Sequence, residues 1–281
     1  MSLNEFGRNP FQEGCATAAS AAAGCAKNNF SATGNNAVPR TAGEVGANRD
    51  DRRTIGGVRW EHEYDAETSS RFQFVIDDRD ISQPTGTTSA VGDYLSYNAM
   101  ADVTHRTLIA GLPATYLAGA FWNYLPVDSY TYLVAPDGNA TLGKLQSNVR
   151  GSTTNFGARA REEVSLTDTV VVAAGITVER SLLEGSQRSY TYNPAGQALT
   201  ERLVSADRSM TNVAPEVGLL WRPSREWQYR ARIGTGYGTP QFTNLFVTSA
   251  GGPGNNTDLK SQENVGLRSR RRLDAGARAS C

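Results

Sequence analysis

Residues 214–240 read APEVGLLWRPSREWQYRARIGTGYGTP and contain two runs of alternating apolar and polar residues, joined by a very short polar turn. In the first run, Val217, Leu219 and Trp221 share one face. The residues that share a face in the second run are Trp227, Tyr229, Ala231, Ile233, Thr235 and Tyr237. Because a period of two residues is typical of β-strands, this stretch predicts a β-hairpin that turns at residues 222–225.

The length of the second run favours a strand in a membrane. It keeps its phase for about twice the five or six residues of an average strand in a soluble protein. A tilted transmembrane strand needs about 9–11 residues and ends in interfacial aromatic residues, and Trp221 and Trp227 flank the turn. An arginine that faces lipid near the midplane costs roughly 2–4 kcal/mol, so Arg230 and Arg232 are predicted to face the lumen of a β-barrel.

The same alternation recurs upstream of the hairpin. It predicts an all-β, antiparallel transmembrane sheet of roughly nine or ten strands, which forms an incomplete barrel. Arg159 and Arg161 alternate with apolar residues in one of these strands, so both are also predicted to face the lumen. The predicted division of the chain is a loop-like segment 1–52, barrel strands in 53–268 and a basic tail 269–281.

The connections between the predicted strands alternate between short and long, as bacterial barrels have short periplasmic turns and longer outer loops. We expect long polar loops at residues 78–92 and 125–150 and a tight turn at residues 104–106. Two strands are expected to continue beyond the membrane and to turn around residues 193–196.

The charge balance and the lack of a long apolar run exclude several classes of function. The chain has 28 Lys+Arg and 28 Asp+Glu residues, which gives no overall electrostatic attraction to nucleic acid. No run approaches the ~20 apolar residues of a membrane helix. Cys15 and Cys25 are close enough in sequence to form a disulfide in an oxidising compartment, and the alternative is two free thiols in a loop.

Four short segments carry a resemblance to a known family. They are TLIAG at 107–111, APEVGLLWRP at 214–223, GTGYGTP at 234–240 and NTDLKSQ at 256–262. In this order along the chain they resemble strand and hairpin motifs of the TonB-dependent outer-membrane receptors, most of all the ferric-siderophore receptors. The resemblance covers about residues 54–267.

The resemblance implies energised uptake of a ferric siderophore or a similar scarce ligand across the outer membrane, by binding and transport without covalent chemistry. The partners it implies are outer-membrane lipid, the ligand and, for the full-length parent protein, the TonB complex. We expect no nucleic-acid partner, cofactor or metal. Outer loops would contact the ligand, and the aromatic candidates for this contact are Tyr130, Tyr132, Tyr190 and Tyr192.

Receptors of this family are barrels of 22 strands with a plugged lumen. The plug, the segment that contacts TonB and the export signal have no counterpart in this sequence. We therefore expect a fragment of such a receptor that does not transport by itself.

Two other classes of protein stay open. One is a soluble extracellular β-sandwich that binds a ligand, which the length of the strands disfavours. The other is an outer-membrane barrel enzyme or an autotransporter translocator. With only His62 and His105 available and no Gly-x-Ser-x-Gly motif, the sequence has no recognisable catalytic set. His62 is predicted to be an interfacial residue beside Trp60 and Tyr64.

Overall fold

The protein consists of β-strands that follow one another in a single sheet. In the computed structural model, the described residues are 3–10, 46–84, 88–135, 139–224, 226–256 and 258–273. Their strands are β1 Leu3–Pro10, β2 Asn48–Glu63, β3 Thr68–Gln83, β4 Thr88–Ile109, β5 Leu112–Val134, β6 Leu142–Thr167, β7 Val170–Tyr192, β8 Ala198–Trp221, β9 Trp227–Gly238 and β10 Gln262–Leu273.

The sheet has ten strands in the order of the sequence, and each strand is antiparallel to its neighbours. Within the described part of the chain, β1 and β10 each pair with one neighbour, so the sheet is open. The predicted fold class, an incomplete antiparallel barrel of nine or ten strands, is therefore confirmed. A β-sandwich would need two sheets packed face to face, and the single sheet excludes it.

Two loops and one turn that the sequence predicts are wrong. The predicted loops at 78–92 and 125–150 are mostly strand, and the connections are only 84–87 and 135–141. The predicted turn at 104–106 lies inside β4, and the chain reverses at Ala110 and Gly111, with φ angles of 50° and 81°. This is the positive-φ geometry of a tight two-residue hairpin turn. The predicted turn around 193–196 is confirmed between β7 and β8.

One side of the sheet, which we call the apolar face, carries exposed apolar residues on every strand from β2 to β8. A row of seven directly paired neighbours crosses these strands: Trp60, Phe72, Ala101, Ala120, Ala158, Val178 and Val213. A soluble protein buries most of its large apolar side chains away from water, so a continuous exposed apolar face indicates contact with lipid. Among the described residues, no helix is both long and apolar enough to cross a membrane.

The apolar face covers only part of each strand. In β7 the apolar run extends from Val170 to Val178, about 27 Å along the strand, and Arg180 and Glu184 follow on the same face. With a tilt of about 40°, this run spans about 21 Å, close to the ~25 Å apolar band of outer-membrane barrels. Because β7 has 23 residues, its second half extends beyond the band.

Aromatic side chains mark both edges of the apolar band. At the end with the short turns, Trp221 stacks on Tyr229 at 5.3 Å between ring centroids, and Trp60 stacks on His62 at 5.4 Å. At the other edge the stacked pairs are Tyr97 with Tyr124 and Trp122 with Tyr124. Two aromatic belts, one at each edge of the apolar band, are typical of transmembrane barrels.

A small hydrophobic core lies on the opposite side of the sheet, beyond the apolar band. The connection between β9 and β10 contains a short 3₁₀ helix, Phe242–Phe246, whose Leu245 and Phe246 are almost fully buried. They pack against residues of β6, β7 and β8, which are Val149, Leu183, Ala206 and Met210. This connection is therefore held against the sheet.

The hairpin of β8 and β9 forms as the sequence predicts, but its pairing ends early. The last pair is Glu216 with Gly234, next to Pro215, which has no backbone N–H to donate. Beyond this point the Tyr237 hydroxyl hydrogen-bonds to Glu179, which lies on the face opposite the apolar one. Pairing with β10 continues without a register shift to Gly238, so Tyr237 keeps the predicted strand phase of Ile233 while its hydroxyl contacts Glu179.

The predicted segment bounds also differ from the strands. β1 lies within the segment 1–52 that was predicted to be loop, β2 begins at Asn48, and β10 continues to Leu273. The division of the chain into three segments stays a prediction. Cys15 and Cys25 lie outside the described residues.

Candidate functional site

The side of the sheet opposite the apolar face, which we call the polar face, carries most of the described ion pairs. Asp102 of β4 lies at the centre of this network, and its side chain is only 5% exposed. Arg159 donates from Nη2 to both carboxylate oxygens, at 2.6 and 2.8 Å, and from Nε to Oδ1 at 3.0 Å. Arg71 donates to Oδ2 of the same carboxylate. A Cβ on Gly119 would lie 2.1 Å from Oδ1 of Asp102, so the glycine makes room for this cluster.

A second cluster on the polar face surrounds Glu216 of β8. The Arg161 Nη1 lies 3.6 Å from Oε1 of Glu216, and Arg232 hydrogen-bonds to Oε2 of the same carboxylate. Arg161 also pairs with Glu163 at 2.6 Å. Arg230 is in phase with Arg232 on β9 and has no ion pair within the described part of the chain. The structure thus brings three of the four predicted arginines onto carboxylates, and their contact with a lumen stays a prediction.

Paired charges continue on the polar face beyond the apolar band. Arg53 donates from Nε to Oδ1 of Asp77 at 2.8 Å, and Arg79 donates from Nε to Oδ1 of Asp51 at 2.7 Å. The Arg79 guanidinium, helped by Arg49, holds the pKa of Asp51 below its usual range. These carboxylates are therefore charged and fixed at neutral pH.

Three asparagines on neighbouring strands hydrogen-bond to one another on the polar face. Asn155 of β6 donates from Nδ2 to Oδ1 of Asn123 at 3.2 Å, and Asn123 in turn donates to Oδ1 of Asn98. Among the described residues, three buried polar atoms have no hydrogen-bond partner: Arg71 Nε, Asn155 Oδ1 and Asn212 Nδ2. Because an unpaired buried polar group is costly, these atoms are suited to a further polar partner on this face.

Sequence reasoning missed the carboxylates of these clusters. Asp102 and Arg159 are 57 residues apart in sequence, and they meet because β4, β5 and β6 pair in a particular register. The position of Asp102 in the strand could have placed its carboxylate on the polar face, because it alternates with Ala101 and Val103, whose apolar face the sequence predicts. Phase places a side chain on a face, but it does not identify its partner.

The four tyrosines predicted to contact a ligand lie in strands and not in loops. Tyr130 and Tyr190 are in phase with the apolar face, and the pairing is irregular at Tyr132 and Tyr192. Arg150 donates from Nη2 to the Tyr130 hydroxyl at 2.7 Å, and the Tyr192 hydroxyl donates to the Leu145 carbonyl oxygen at 2.6 Å. Their contact with a ligand stays a prediction.

A row of three aspartates lies on the outer continuation of the apolar face. Asp80, Asp93 and Asp128 are directly paired neighbours on β3, β4 and β5, and Arg52 and Arg150 extend the row at its two ends. The three aspartates and Arg52 border a cavity of about 590 Å³. Partial burial and the neighbouring carboxylates raise the pKa of Asp93.

His62 lies between Trp60 and Tyr64, as the sequence predicts. Its ring stacks on Trp60 and makes an edge contact with Tyr64 at 4.5 Å. In the ranges that the structure describes, no group of three His, Cys, Asp or Glu residues has the arrangement of a metal site. The arrangement on the polar face offers fixed charges and hydrogen-bonding groups, which suit non-covalent binding.

Comparison with known proteins gives a family. The sequence model of the family "TonB dependent receptor-like, beta-barrel" matches residues 5–267. A comparison with curated protein sequences gave no match.

Several solved structures share the fold. The ferric-catecholate import receptor Fiu from Escherichia coli K12 has a TM-score of 0.68 and 12% identity, over 82% of this chain and 39% of that one. The ferric citrate transporter FecA has a TM-score of 0.64 and 14% identity, over 82% and 33%. The Serratia marcescens haemophore receptor HasR, solved with its haemophore and haem, has a TM-score of 0.61 and 13% identity, over 81% and 37%. The chain thus spans about a third to two-fifths of these structures.

Proposed function

This chain belongs to the TonB-dependent receptor β-barrel family, and we therefore propose that it forms part of the wall of an outer-membrane receptor that takes up a ferric siderophore or a similar scarce ligand. One observation carries the proposal. The sheet has a lipid-compatible face and, on its other side, a network of partly buried ion pairs centred on Asp102 and Glu216. A charged face is too costly to place against lipid, so it lines an interior.

The proposed mechanism is binding and transport without covalent chemistry. The strands continue beyond the apolar band, where the wall of the chamber would meet the ligand first. The pairs of Arg53 with Asp77 and of Arg79 with Asp51 present fixed charges of both signs there. Charged groups of known position suit a polar, chelating ligand, since they need no reorganisation when it binds.

At the level of the band, Arg159, Arg161, Arg230 and Arg232 would face a protein plug and not the ligand. The unpaired Arg71 Nε, Asn155 Oδ1 and Asn212 Nδ2 support a polar protein partner on this face. In the full-length protein, that partner would be the plug, and the TonB complex would supply the energy for transport.

Uptake of radioactive iron by iron-limited cells tests the proposal. Cells that produce the full-length receptor containing this chain would be given a ferric catecholate, ferric citrate or haem, in the presence and absence of TonB. We expect TonB-dependent uptake of one ligand class, which is lost when the gene is deleted. Equal uptake of every ligand by the deleted strain would refute the proposal.

A further inference from the structure

Arg180 lies on the apolar side of the sheet, at the edge of the apolar band. It is the next residue on that face after Val178, where the apolar run of β7 ends. Its direct neighbour in β6 is Phe156, which is 44% exposed, and the next residue on the face is Leu182, which is 38% exposed. The exposed arginine thus has apolar neighbours in β6 and along β7, at the level of the Trp122 belt, and Thr211 as its neighbour in β8.

The other described arginines on this side that have an ion pair lie farther from the band. Arg52 pairs with Asp80, Arg150 with Asp128 and Arg188 with Glu201. Arg180 has no carboxylate partner among the described residues. Glu184 and Asp207, on the same face, lie four residues along their strands from Arg180 and its neighbour Thr211, about 13 Å between Cα atoms, and neither forms an ion pair with Arg180.

Two hydroxyl groups hold the Arg180 side chain in place. Its Nη1 donates to Oγ1 of Thr211 at 2.8 Å, and its Nη2 donates to Oγ of Ser209 at 2.7 Å. Ser209 is farther from the apolar band than Thr211, so the side chain extends toward the polar edge, as arginines at membrane interfaces do. Neutral hydroxyls orient the guanidinium without neutralising it, and three of its five N–H groups stay available.

We propose that Arg180, positioned by Ser209 and Thr211, binds the phosphate of a lipid headgroup. The planar donor array of arginine matches phosphate oxygens, and headgroups lie just beyond the hydrocarbon layer that the apolar band spans. The exposed side chains of Val178 and Val213 below it would contact the acyl chains. This inference rests on the membrane position of the sheet and is independent of the transported ligand.

Native mass spectrometry of the purified receptor that contains this chain, titrated with phosphatidylglycerol, tests the site. Arg180→Gln removes the charge and keeps a side chain that can hydrogen-bond to Ser209 and Thr211. Arg188→Gln is the matched control, because it lies on the same strand and face but pairs with Glu201. We expect Arg180→Gln to weaken the binding of the tightest lipid about fivefold, because the variant loses the attraction between one cation and an anionic headgroup. We expect Arg188→Gln to leave this binding unchanged.

A second variant separates positioning from charge. Ser209→Ala combined with Thr211→Val keeps Arg180 but removes both acceptors, and we expect a smaller loss of about twofold. This double variant also decides the matter if Arg180→Gln fails to fold. The proposal would be overturned if Arg180→Gln and Arg188→Gln changed lipid binding equally. It would also be overturned if neither Arg180→Gln nor the double variant changed lipid binding. Displacement of the lipid by millimolar inorganic phosphate would overturn it as well, because the site would then take the free ion.

Discussion

Replacing Asp102 by asparagine is the most direct test of the polar face. The change keeps the size of the side chain and one acceptor oxygen but removes the negative charge that two arginines share. Arg159 makes three contacts of 2.6–3.0 Å with this carboxylate, and Arg71 makes another. The variant therefore leaves two cations side by side without their common counterion.

The expected cost follows from the burial of the cluster. Removing one partner of a fully buried ion pair costs about 3–5 kcal/mol. The carboxylate is 5% exposed, but the side chains of Arg71 and Arg159 are 34% and 35% exposed, so water partly solvates them. We therefore expect Asp102→Asn to lower the free energy of unfolding by about 2–3 kcal/mol, the range of one or two lost charged hydrogen bonds.

Urea titration of the receptor that contains this chain, refolded into lipid vesicles and followed by tryptophan fluorescence, measures this cost. Glu163→Gln is the control, because its pair with Arg161 is about half exposed and should contribute under ~1 kcal/mol. Gly119→Ala should approach the effect of Asp102→Asn, since its Cβ would overlap Oδ1. If Asp102→Asn costs no more than Glu163→Gln, the network does not stabilise the sheet as described.

Three further predictions concern other parts of the molecule. Leu245→Ala should cost about 2–5 kcal/mol locally and raise hydrogen exchange in residues 239–256, whereas the exposed Val247→Ala should change it little. The pKa of Asp93 in the folded protein is raised above 3.8, so its contribution to stability is complete below pH ~3.8 and is lost as the pH rises through the folded pKa. Asp93→Asn should therefore stabilise β3–β5 at neutral pH by about 0.2–1 kcal/mol, measured by hydrogen exchange. Equal protection of these strands in both proteins would contradict this. The isolated chain should yield no heat-modifiable band in outer membranes, because unpaired edge groups in lipid cost several kcal/mol each; such a band would show that the open sheet inserts.

Predictions from the sequence are accurate where the strands cross the apolar band. In the run Val170–Val178, every second side chain must contact lipid, so the alternation is strict and identifies the face. The same constraint places Arg159, Arg161 and Arg232 on the other face. Beyond the band neither face has to be apolar, which is why β3, β4 and β5 continue through segments predicted to be loops.

The partners of the predicted arginines could not be found in this way. A side chain of known phase still has several candidate neighbours on each adjacent strand, and a register shift of two residues exchanges them without changing the face. The positions of the tyrosines show the same limit. Tyr130 was predicted to lie in a loop, and the continuation of β5 places it in phase with Trp122.

The sequence by itself determined the all-β class, the lipid-compatible strand faces and the arginines that oppose them, because each follows from a two-residue period and the cost of charge in lipid. Only the tertiary structure decided which charges meet. The register of β4, β5 and β6 brings Asp102 between Arg71 and Arg159, and that of β7 and β8 brings Arg180 to Ser209 and Thr211. The physical reason is that strand pairing brings together residues that are distant in sequence, and side-chain phase carries no information about that distance.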